Sequence, residues 1–365
     1  MKLKKIASLA LVLALSLTAC GTKGETPAAS GPVSSAPAAS SAVSSVPAQE
    51  GEPERAAFSI AALKGPTAMG LVELMERSGM QPAEQTEPVS IADLQDREGL
   101  PYTFTLAGSA DEVTPALIKG DLDMACVPAN LASVLYSKTN GEIVTLAINT
   151  LGVIYIVEKG EEVQSMGDLA GKTVVGAGKG STPEFGLRYL LRENGVDPDT
   201  GLTLDWKSEH SECVAALASG AATIALLPQP FVTVAQSKVE GLRVALDLTA
   251  EWDALDNGSG MVTGVIVARK DVVEENPDAV AAFLNDYAES VEWVNSNVAD
   301  AAALIGSYGI VNAAVAEKAL PHCNIVCIIG KEMKDTLSGY LQVLFDADPA
   351  SVGGTLPEAD FYHGA

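Results

Sequence analysis

The side chains best suited to chemistry in this 365-residue chain are small hydroxyls, lysines and one Glu–His pair, all set in glycine- or proline-bearing loops. The loops are "LKGPTAMG" (63–70), "AGSAD" (107–111), "VPANL" (127–131) and Asn149–Thr150 in one half. In the other half they are "GAGKGSTPEFG" (176–186), "KSEHSE" (207–212) and "LLPQPF" (226–231). Lys64, Thr67, Ser109, Asn130, Lys179, Ser181, Thr182 and Ser208 are donors, and a loop that opens a helix adds backbone N–H groups, a combination that favours an anionic or strongly accepting group. Glu209 and His210 could hydrogen-bond an amine or a heterocycle, or be no more than a solvated first helical turn. Ser109, Ser181, Thr182 and Ser208 are also ordinary N-cap types, and about half of them are expected to be only that. Trp206 reads as sheet packing rather than a stacking platform.

Other chemistries fail on spacing. In "GDLAGKT" (167–173) the upstream glycine is one position short of a phosphate loop, and the segment precedes its strand. "GAGKGS" has Ser181 where a dinucleotide fingerprint needs its third glycine. There is no G-x-S-x-G, no H-E-x-x-H and no cysteine pair at structural-zinc spacing, and three histidines offer little for acid–base work. "HCNIVC" (322–327) gathers too few ligands for a metal site. Cys126, Cys213, Cys323 and Cys327 show no disulfide framework and are expected as free, mostly buried thiols. No catalytic residue, cofactor or metal is expected.

The loops are positioned by a repeated design. "ALIKGDLDMACVPANLASV" (116–134) lies without a gap on "ALASGAATIALLPQPFVTV" (216–234), matching Ala116/Ala216, Leu117/Leu217, Gly120/Gly220, Ala125/Ala225, Pro128/Pro228 and Val134/Val234. Each copy reads as an alternating strand, a helix closed by a Gly C-cap, a buried strand running into a proline loop, another helix and another strand. Upstream, 58–79 and 173–195 share a strand, a Lys-Gly turn, a hydroxyl and a helix. Downstream, "GVIYIVEKG" (152–160) echoes "GVIVARKD" (264–271). The fold expected is α/β, with two similar lobes, each a mostly parallel sheet flanked by helices, joined by two crossing segments. Lobe 1 would comprise 56–150 and 262–365, and lobe 2 would comprise 151–261. Ligands in such sheets bind outside the carboxyl ends of the strands, which is where the loops above fall.

The first 55 residues point to a compartment. Lys2, Lys4 and Lys5 precede an apolar run of roughly 13 residues, against the ~20 of a membrane span, so 1–19 reads as a signal peptide. It ends in "LTAC", similar to the lipobox of bacterial lipoproteins, which makes Cys20 the lipidation site. Residues 20–55 are Ala/Ser/Pro-rich and read as a disordered tether. The chain sums to −24, or −27 without the three N-terminal lysines, which argues against a nucleic-acid partner.

With these features together, the chain resembles type II periplasmic binding proteins, the solute-binding subunits of ABC importers. "ALKGPTAMGL", "GDLDMACVPAN", "DLAGKTVVGAGKGSTPEFGLRYLL" and "SEHSECVAALASGAATIALLPQPF" look like the branch that includes alkanesulfonate-, taurine- and thiamine-precursor-binding proteins. The resemblance implies a ligand in the interlobe cleft, touched by Gly65–Met69 and by Lys179–Pro183. The binding set expected is Lys64, Gly65, Pro66, Thr67, Met69, Ser109, Pro128, Asn130 and Asn149 from lobe 1. From lobe 2 it is Lys179, Gly180, Ser181, Thr182, Glu209, His210, Pro228 and Gln229. No pair of aromatics stands out in the loops to sandwich a pyrimidine.

The function expected is a lipid-anchored, extracytoplasmic binding protein, monomeric, that closes about 149–153 and 258–264 on a small organic solute. The solute would be sulfonate-like or heterocyclic, and the partners an ABC permease and its ATPase. The competing class is an enzyme of cofactor-precursor metabolism on the same bilobal fold. A sensor or adhesion lipoprotein is a third reading.

Overall fold

A computed structural model describes residues 55–365 apart from 85 and 87. The expected signal peptide, Cys20 and the tether as far as residue 54 lie outside the described residues. The described residues form one compact unit.

Two sheets organise that unit. The strands are β1 (Ser59–Leu63), β2 (Thr103–Ala107), β3 (Met124–Pro128), β4 (Ile143–Leu151), β5 (Ile154–Lys159), β6 (Thr173–Ala177), β7 (Thr203–Lys207), β8 (Ile224–Pro228), β9 (Leu242–Asp247), β10 (Val262–Arg269) and β11 (Ile325–Ile328). The first sheet runs β11-β4-β10-β3-β1-β2 and the second β7-β6-β8-β5-β9. β1 pairs parallel with β2 and β3, and β6 pairs parallel with β7 and β8. β10 is antiparallel to both β3 and β4, and β5 is antiparallel to both β8 and β9. Each sheet therefore has four strands in one direction and an opposed strand inserted among them, and the first sheet carries a further opposed strand, β11, antiparallel to β4 at its edge. The inserted strand comes across from the other half of the chain: β5 follows β4 but pairs in the second sheet, and β10 follows β9 but pairs in the first.

The repeat at an offset of one hundred residues is real structure. β2 and β7, the helices Ala110–Lys119 and His210–Ser219, and β3 and β8 occupy matching places. Both helices stop at a glycine in the left-handed region, Gly120 at φ 86° and Gly220 at φ 75°, where any side chain would be strained. Strand burial follows position. β4, flanked on both sides, is buried over nearly its whole length, whereas the edge strand β2 alternates exposed and half-buried residues.

One apolar core lies on the outer face of the first sheet under the helices Pro277–Ser296 and Val298–Ser307. A second runs from the inner face of the first sheet into the second sheet, and a third covers the far face of the second sheet. The helix Gly330–Ala347 contacts β4 and β10 of the first sheet and the helix Thr182–Glu193 of the second half, burying Met333, Leu337, Tyr340 and Leu341 between them. Trp252 packs there against Tyr189 and Tyr340, with ring centroids 4.8 and 5.2 Å away.

The chain leaves the first sheet for the second through Gly152 and Val153, the two residues between β4 and β5. A Cβ added at Gly152 would sit 2.0 Å from Thr249 Oγ1 and 2.9 Å from its Cγ2. Overpacking of this kind costs about 1–3 kcal/mol. Gly152→Ala is therefore expected to lower unfolding stability by about that amount in urea titrations, and the loss should at least halve in a Thr249→Ala background, where both clashing atoms are gone.

Candidate functional site

The carboxyl-terminal ends of β1, β2 and β3 and those of β6, β7 and β8 face a shared cavity of about 520 Å³. Of the residues expected at the site, Lys64, Gly65, Pro66, Thr67, Ser109 and Pro128 line it from the first sheet. Lys179, Gly180, Ser181, Glu209, His210 and Pro228 line it from the second. The starts of the two exchanged strands contribute Ile154 and Thr263. Across the mouth the two halves nearly touch: Glu209 Oε1 is 2.9 Å from the place a Cβ would take on Gly108.

Five expected residues lie outside this lining, and each has other work. Met69 is fully buried in the outer core of the first sheet. Asn149 is fully buried, donating from Nδ2 to Thr67 O at 3.4 Å and accepting from Thr150 Oγ1 at 3.0 Å, so it supports the first loop from behind. Gln229 accepts from Thr233 Oγ1 at 2.9 Å. Asn130 and Thr182 are fully buried and bonded to each other, Thr182 Oγ1 donating to Asn130 Oδ1 at 3.3 Å. Asn130 Nδ2 also donates to Ser351 O at 2.9 Å and to Gly180 O at 3.4 Å, which ties together the two halves and the C-terminal segment.

The helix starts around the cavity differ from expectation in electrostatics. The N–H groups of Gly108 and Ser109 donate to Glu112 Oε1 at 3.2 and 3.0 Å. Gly180 N donates to Glu184 Oε2 at 2.7 Å, and Ser208 N to Glu212 Oε2 at 2.9 Å. These loops cap themselves with a carboxylate from the following turn, which takes up the N-cap or preceding amide and leaves the N–H groups of the first helical turn without an intrahelical partner. The signal was present in the sequence as Ser109-x-x-Glu112 and Ser181-x-x-Glu184. Positive charge comes instead from lysines. Lys64 and Lys179 are exposed, one from each side, with no ion pair among the described residues, while Lys207 is held by Asp205 at 2.8 Å.

Two aromatics absent from the expected set also line the cavity, Trp206 and Phe231. Phe231 lies against the His210 ring with centroids 5.1 Å apart. Burial pushes the His210 imidazole down to about 4, so it is neutral near pH 7, and its Nδ1 has no partner. Thr263 Oγ1 is likewise buried and unpartnered. Neither Trp206 nor Phe231 could be assigned from spacing, since each sits at an element boundary where packing and exposure read alike. The four cysteines among the described residues are free, and burial raises Cys126, Cys213 and Cys323 to about 12 and Cys327 to about 11, so none is a ready nucleophile.

A family profile described as ABC transporter, phosphonate, periplasmic substrate-binding protein matches residues 77–319, well over half of the chain. The chain belongs to this family. Among curated relatives, BAB2_1146 of Brucella abortus (strain 2308), which carries a binding-protein name without a stated ligand, is 26% identical over 204 residues, 56% of this chain and 60% of the relative. The chain thus spans less than two thirds of that relative's length. Among solved structures, an ABC transporter protein from Parabacteroides distasonis superposes with a TM-score of 0.65 at 23% identity, covering 84% of this chain and 98% of the other. The periplasmic aliphatic sulphonate binding protein SsuA from Escherichia coli gives 0.63 at 17% identity, covering 85% and 96%. Both share the bilobal fold, two mixed sheets flanked by helices.

Two outcomes follow from this geometry. Asn130→Ala should act on stability, costing about 1–3 kcal/mol in urea unfolding because Thr182 Oγ1 and Ser351 O lose a buried partner. His210 titrates lower in the folded chain than its unfolded ~6.5, so the unfolded state binds more protons between those values. Stability is complete above about pH 6.5 and falls toward pH 4. His210→Gln should shallow that fall, measured as the change in urea midpoint between about pH 7 and about pH 4.5.

Proposed function

We propose that this member of the family is the solute-capturing subunit of an ABC importer, and that it binds a small organic solute in the 520 Å³ cavity. The supporting observation is that the cavity is shared. Loops from the strand ends of both sheets line it, and Glu209 of one half reaches Gly108 of the other across its mouth. A solute held by both halves gains its full set of contacts only when they are together, so binding favours the closed arrangement. Gly152 and the Gly-rich 258–264 segment are the hinge positions in this reading, Cys20 carries the lipid that keeps the protein at the outer membrane face, and the permease and ATPase receive the solute. The protein acts as a monomer and catalyses no reaction. The chemistry of the neighbours, sulphonate for SsuA and phosphonate for the family description, puts forward an acidic group on the solute, and Lys64 with Lys179 would meet it.

The test is a thermal-shift and calorimetric screen of the protein against phosphonates, sulfonates, amino acids and heterocycles, with recovery of the bound compound. A solute at about 100 times its dissociation constant should add ~2.7 kcal/mol of stability and be recovered unchanged. A screen in which nothing stabilises the chain, or in which the bound compound is consumed, overturns the proposal. Cys20→Ala should release the protein from the membrane fraction; continued membrane association would remove the lipid anchor from it.

A further inference from the structure

We infer that the solute is planar and ring-bearing, with its ring against Trp206 and the His210–Phe231 pair. This deepens the solute-binding reading and rests on it. Three observations carry it.

The first is size. A bare oxyanion displaces the equivalent of only a few waters of ~30 Å³ each, and a cavity of about 520 Å³ would remain mostly empty around it. Cavities of roughly 300–1,000 Å³ suit larger organic molecules. The second is electrostatics. Asp111 and Glu209 put negative charge into the lining, and against it stand the first-turn amides of the helices and the exposed Lys64 and Lys179, a balance that suits one acidic group on a larger solute rather than a bare, highly charged oxyanion.

The third is the seating of the indole. Trp206 Cζ3 is 3.0 Å from the position a Cβ would take on Gly176, its partner in the β6–β7 ladder. A glycine on β6 lets the ring lie against the strand and still border the cavity. Trp206 is half-buried, whereas the other two tryptophans, Trp252 and Trp293, are buried at 0% and 6% exposure in the cores.

The experiment compares ring-bearing probes (pyridine-3-sulfonate, benzenesulfonate, nicotinamide) with ringless ones (ethanesulfonate, methylphosphonate, taurine) by calorimetry and tryptophan fluorescence. A ring-bearing probe is expected to bind at least about tenfold, ~1.4 kcal/mol, more tightly than any ringless one and to quench the fluorescence. Trp206→Leu should erase that advantage and leave the weaker affinity for ringless probes in place, while Trp206→Phe retains it. If a ringless solute binds as tightly as any ring-bearing one, or if Trp206→Leu weakens both sets equally, this inference falls and the solute-binding reading stands. If no compound of either kind stabilises the protein in this panel or the wider screen, both fall.

Discussion

The backbone pairing of β5 and β10 is the constraint on which the rest of this molecule depends. β4 and β3 are joined in the first sheet only through β10, and β9 and β8 in the second only through β5. Each half of the chain therefore supplies the strand that keeps the other half's sheet in one piece. Removing either strand would divide a sheet and leave two rows of unpaired backbone groups, a cost far larger than that of any single side-chain contact. The halves cannot be independent, whatever freedom they have to move.

That exchange also sets where the cavity is. β5 and β10 run opposite to their neighbours, so they begin where the parallel strands end. Their first residues come to the same region as the loops after β1, β3, β6 and β8, and this is why Ile154 and Thr263 share a lining with Lys64, Ser181 and His210. The crossing segments and the site are thus the same part of the chain. A change in the angle between the sheets moves the lining directly, with no relay of side chains between hinge and ligand.

Much of this was legible in the sequence, and the limits are physical ones. The gapless repeat, with Gly120 and Gly220 as caps and Pro128 and Pro228 at strand ends, was enough to place the loops, because helix stops and buried strands have local signatures. The direction of β5 and β10 was not available, since "GVIYIVEK" and "GVIVARK" are apolar up to their charged last two residues and such a run reads the same for parallel and antiparallel neighbours. Loop membership also says little about where a side chain turns. Asn130 sits in the right loop, yet its amide goes to Ser351, whose position no local pattern could indicate. The carboxylate caps at Glu112 and Glu184 show the opposite case. The Ser-x-x-Glu spacing is a local signature, and it fixes that Ser109 N and Gly180 N are held within their own loops.

The two sides of the interlobe contact differ in strength, and the difference has a consequence for movement. Behind the cavity the halves meet through a continuous apolar core with Trp252, Tyr189, Tyr340 and Leu337 in it. In front they meet through the approach of Glu209 to Gly108. Opening the cleft would part this approach and keep the core together, so its cost is set by polar contacts at the mouth rather than by the core. An opening of that kind lies within the few kcal/mol over which a solute can shift a two-state equilibrium. A chain with a polar hinge and an apolar front would be open at rest for a different reason and would have to bury new core on closing. Here the core is already buried, and the solute has only to bridge the two walls of the cavity.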